Sequence, residues 1–130
     1  MAAAAIEYDR GVKRVLALVF VLGCAHESVA QDAAARTDAL RAKFPPGKAT
    51  RADVIASAGD HPEMALTRPS LGWSQPFIRD IEDRTGLVVA RAEEYVSPMA
   101  TSVFFTLQHV WYFYDRADVL VDAVWQRMGD

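Results

Sequence analysis

The chain has 130 residues, a net charge of −3 from 14 Lys plus Arg against 17 Asp plus Glu, and one cysteine. That length suits one small domain. The mild acidity excludes the clustered basic surface that nucleic acid requires, and a lone cysteine excludes an internal disulfide.

The N-terminus reads as a leader. Arg10-Gly11-Val12-Lys13-Arg14 is basic, Val15 to Leu22 is an apolar run of eight residues, and Gly23-Cys24 sets a small residue directly before the cysteine. A helical bilayer span takes about 20 apolar residues, so the run fits the core of a signal peptide instead. Val21-Leu22-Gly23-Cys24 resembles the bacterial lipobox. The resemblance implies a diacylglyceryl group on the Cys24 sulfur, cleavage after Gly23 and acylation of the new amine. Two other readings stay open. Ser28-Val29-Ala30 has the small residues of an ordinary signal-peptidase site, which would release a soluble protein beginning at Gln31. Alternatively, Cys24 is a small hydrophobe in a buried helix. Glu7 and Asp9 are unusual ahead of a basic leader, and a start at Val12 would give a more conventional one. The expected organisation is a signal peptide over 1–23, a lipidated tether over 24–31 and one folded domain over 32–130.

Beyond the tether, Ala33, Leu40 and Phe44 recur at near-helical spacing, which predicts a short helix over 32–44 with Arg36, Asp38 and Arg41 on its wet side. Pro45-Pro46-Gly47 ends it. Thr50 and Asp53 have the spacing of a capping box, Val54, Ile55 and Ala58 form an apolar face, and Gly59 and Pro62 supply the stop. A second helix is therefore expected over 50–58. Residues 60–74 read as a long loop ending near Trp73. Phe77 to Ile81 reads as a strand, 82–86 as a turn, and Leu87 to Val96 as a strand with Arg91, Glu93 and Glu94 exposed. Val103 to Tyr114 and Val119 to Arg127 form the strongest strand pair, joined by the polar loop Asp115-Arg116-Ala117-Asp118. Within the last strand, alternation places Val119, Val121, Ala123 and Trp125 on one face and Asp122 and Gln126 on the other. The expected fold is α+β: two short N-terminal helices packed on a small antiparallel sheet of three to four strands.

Little in this pattern speaks for catalysis. His26, His61 and His109 lack the spacing of a helix-borne metal site, and neither a nucleophile elbow nor a glycine-rich phosphate loop is present. No catalytic residue, metal or cofactor is expected. The aromatic residues are the other candidates. Trp111 and Phe113 share one side of a strand and Tyr112 and Tyr114 the other. If one side is exposed, Trp73, Trp111, Tyr112, Tyr114 and Trp125 would offer a patch to a protein partner. If helices and the 60–74 loop cover both sides, they are core.

Residues 46–59, with Gly47, Thr50, the Asp53-Val54 pair and Gly59 followed by Pro62, are similar to the start of the SmpA/OmlA (BamE-like) lipoprotein family. Val110 to Asp115 and Val119 to Ala123 resemble its closing hairpin. The resemblance covers about residues 40–127 and implies a non-catalytic role in envelope integrity or outer-membrane protein assembly. Membrane attachment would be through Cys24, at the periplasmic face of the outer membrane, because Ala25 replaces the Asp that tends to retain lipoproteins in the inner membrane. The same arrangement resembles β-lactamase-inhibitor-protein domains, which suggests a second reading: a periplasmic or secreted protein that binds and modulates an enzyme through the aromatic face. A secreted enzyme is the third.

Overall fold

The computed structural model describes residues 29–68, 70, 76–99 and 106–128. Cys24 and Trp73 lie outside them. Three helices and a four-stranded antiparallel sheet make an α+β fold: α1 over 29–43, α2 at Arg51–Ala58, β1 at Met64–Thr67, α3 at Pro76–Thr85, β2 at Arg91–Pro98, β3 at Leu107–Tyr114 and β4 at Leu120–Met128. The strand order is β1-β2-β3-β4, so strands consecutive in sequence are neighbours in the sheet. No helix among the described residues is long and apolar enough to cross a membrane.

Helical structure covers 29–43 and Arg51–Ala58, and a third helix, α3, follows β1. Thr50 Oγ1 accepts from Asp53 N–H and the Asp53 carboxylate accepts from Thr50 N–H, closing the capping box that starts α2. Gly59, at φ +92°, ends that helix. Three expectations are corrected. The 60–74 segment contains β1, an edge strand read as loop because Met64–Thr67 is short and largely exposed. Residues 77–81 are not a strand but belong to α3. Pro76 occupies its first turn, where a missing N–H costs nothing. Ile78 and Ile81 fall three apart on its buried face, and the helix runs through the expected turn to Gly86, whose φ of +70° suits the residue after a helix. Finally, β2 starts only at Arg91, because residues 87–90 connect α3 to the sheet.

Helix α3 decides the packing. Its Ile78 and Ile81 join Val89, Ala92, Trp111, Phe113 and Val121 on one face of the sheet. Phe44, Ala49 and Val54, from the α1–α2 region, join Tyr112, Tyr114, Leu120 and Ala123 on the other. Both faces are covered, so β3 carries four consecutive buried aromatic residues, Trp111 to Tyr114. Strands buried on both sides lose polar alternation. The expected alternation of β4 also breaks. Tyr114 pairs with Leu120 but Phe113 pairs with Asp122, so β4 holds an extra residue there. That bulge sends Val121 and Ala123 to opposite faces.

Candidate functional site

Glu93 in β2 and Asp122 in β4 are the most deeply buried charged groups in the described structure. Asp122, beside the bulge, is 2% exposed. Its Oδ1 accepts from Arg41 Nε at 2.8 Å and Ala123 N–H at 2.8 Å, and its Oδ2 accepts from Arg41 Nη2 at 3.1 Å and Arg84 Nη2 at 2.9 Å. A carboxylate offers about four acceptor sites, and all are used. Burial, the largest single influence, raises the Asp122 pKa, but the arginine and backbone hydrogen bonds together outweigh it and hold the carboxyl below its ordinary value. Asp122 is thus an ionised tie between α1 and α3, with no free lone pair to act as a base.

Glu93 in β2 is fully buried. Its Oε1 accepts from Arg51 Nε at 2.5 Å, at the start of α2, and lies 3.5 Å from Arg91 Nη1. Its Oε2 is buried without a hydrogen bond, as is Tyr114 Oη. Register places these residues as diagonal neighbours on one face, Arg91 opposite Tyr114 and Glu93 opposite Tyr112. Burial, reinforced by the Glu93 charge, raises the Tyr114 pKa, and burial pushes Tyr112 up to about 12. The Tyr95 hydroxyl, on the same face, donates to Gly59 O at 2.7 Å. On the opposite face His109 Nδ1 stands 3.2 Å from Glu94 Oε2, off the line a hydrogen bond needs.

These findings overturn the expectation that Glu93 and Glu94 are exposed. Glu93, Glu94 and Asp122 are buried and Arg91 half-buried, because a sheet covered twice has no wet face. On α1, Arg36 is exposed as expected, whereas Arg41 is half-buried. Arg41 binds Asp122, and the Arg36 guanidinium lies 4.8 Å over the Trp125 ring. Among the proposed partner-binding residues, Trp111, Tyr112, Tyr114 and Trp125 are each at most 6% exposed. They are core, so the expected aromatic patch is not presented by them.

The Asp60-His61-Glu63 segment is exposed, and no group of three or more potential ligands among the described residues could hold a metal ion. A shallow depression at the β3–β4 turn is lined by Val88, Asp115, Arg116 and Ala117. The feature that sequence reasoning missed is the arginine–carboxylate set. Its signal was present: four consecutive aromatics in β3 require two covers, and charges on neighbouring strands then require buried counter-ions. No family model, no curated protein and no solved structure matches this chain.

Proposed function

We propose that this chain is a lipid-anchored cell-envelope protein whose domain works by binding another protein rather than by catalysis. The observation that carries the reading is the leader: basic residues 10–14, the apolar run 15–22 and Gly23 directly before the only cysteine. The domain is acidic and has no polybasic segment to hold it on anionic lipid, so attachment rests on acyl chains. Each buried CH₂ contributes about 0.8 kcal/mol, and stable anchoring takes more than one chain, which the lipoprotein modification supplies. Ala25 favours the outer membrane. The stretches similar to the BamE-like family correspond to the capped helix α2 and the β3–β4 hairpin, which supports an accessory role in envelope integrity or outer-membrane protein assembly. Asp122 and Glu93, held by arginines, are suited to fixing the scaffold.

The test is metabolic labelling with a clickable palmitate analogue. Label is expected on the wild type and absent from Cys24→Ser, which should leave the membrane fraction or persist as uncleaved precursor. A mature N-terminus at Gln31 would overturn the anchor. Pull-down from detergent-solubilised envelopes tests the role, with β-barrel assembly components expected and a soluble periplasmic enzyme supporting the modulator reading instead.

A further inference from the structure

We propose that α1 is a latch on the β4 edge, able to swing away while the sheet, α2 and α3 stay folded. Its attachment over residues 36–41 is mostly polar. Thr37 Oγ1 accepts from Trp125 N–H at 3.1 Å, Arg41 holds Asp122, and Arg36 caps the Trp125 ring. Residues 34–36, 38 and 39 are exposed, and the apolar contribution is confined to partly buried Leu40 and to Phe44 just past the helix end. Helix α3, by contrast, is anchored by two isoleucines in the core. On opening, each polar contact of α1 is exchanged for one with water, whereas apolar anchors lose their burial outright.

Two details make the open state accessible. Asp122 is not stranded when Arg41 leaves, because Arg84 and Ala123 N–H still hold it. Two other β4 N–H groups are satisfied without α1: Leu120 N–H donates to Ala49 O and Ala123 N–H to Asp122 Oδ1. Trp125 also keeps its indole bond to Gln108 Oε1. Opening therefore frees one strand N–H and one aromatic face at the sheet edge. Phe44, buried ahead of Pro45-Pro46, is the pivot.

Native-state hydrogen exchange on the intact chain tests this. Amides 36–41 should exchange together, at least ~10-fold faster than amides 111–113, and with little response to sub-denaturing urea. Ile81→Val, in the part that stays folded, should speed 111–113 by ~10-fold and leave 36–41 unchanged because it weakens the closed and open states alike, whereas Arg41→Met weakens only the closed state and should speed both sets. If 36–41 exchange with the same protection and urea dependence as 111–113, or if Ile81→Val accelerates the two sets equally, α1 opens only with the whole domain and the latch is refuted.

Discussion

Asp122→Asn isolates the charge that joins two helices to one strand. The substitution preserves shape but turns one acceptor oxygen into an NH₂ facing arginine. Hydrogen bonds to charged groups contribute about 1.5–3 kcal/mol each, and three arginine bonds end on Asp122. Arg41 and Arg84 are 34% and 49% exposed, so both rehydrate when the carboxylate is lost. The net cost therefore falls to about 2–4 kcal/mol, at or below the range for breaking a fully buried pair. The sign with pH follows from the lowered pKa. Unfolded aspartate titrates near 3.9, so the stabilisation is complete above about pH 5 and is lost as pH falls below 3.9 through the folded value. Urea unfolding of wild type and variant at about pH 7 and about pH 3 measures it, and the gap should be about 2–4 kcal/mol at the first and clearly smaller at the second. Acid effects elsewhere in the protein act on both chains and cancel in the difference. A neutral-pH gap under about 0.5 kcal/mol, or one that does not shrink in acid, would refute the argument.

Tyr114→Phe removes a buried hydroxyl that has no partner, so it should be neutral or stabilising by up to about 1 kcal/mol in urea unfolding, and a clear loss would reveal a partner. The Tyr112 hydroxyl, pushed up to about 12, keeps its proton in the folded state after the unfolded chain begins to lose it near 10. Stability should therefore fall by about 1.4 kcal/mol per pH unit between those values, and alkaline denaturation of Tyr112→Phe should lack that component. Thr50→Ala opens the capping box and should cost about 1 kcal/mol, with Thr50→Ser restoring most of it by the same assay.

Legibility in the sequence followed the range of the interactions. The α2 cap lies within four residues, and the β3–β4 turn is closed by Asp115 Oδ1, which accepts from Ala117 N–H and Val119 N–H; both are written locally and were readable. Helix α3 is ambiguous in the sequence because Phe77-Ile78 and Ile81 satisfy short strand and helix patterns alike, and only Pro76 and Gly86 mark a helix, at its two ends. The Val121 bulge is set by pairing with β3, which no local pattern encodes. Cys24 differs in kind. Its proposed lipidation rests on residues 10–24 of the sequence, so that reading needs nothing from the packed domain.

Glu93 and Asp122 lie inside because the sheet is covered on both faces. Assigning charges to the wet face is sound for a sheet covered once, and the number of covers is a global property. Yet β3 already constrained it. Trp111, Tyr112, Phe113 and Tyr114 alternate sides, and all four cannot be buried unless both faces are covered. Given two covers, Glu93, opposite Tyr112, and Asp122, opposite Phe113, must lie inside. A carboxylate at such a position has to be paired or neutralised. Arg51 at the start of α2, Arg41 near the end of α1 and Arg84 near the end of α3 are the cations that the helices bring to those strands. The aromatic run of β3 thus dictates the buried ion pairs, and the helices that bury it carry the arginines that make the burial tolerable.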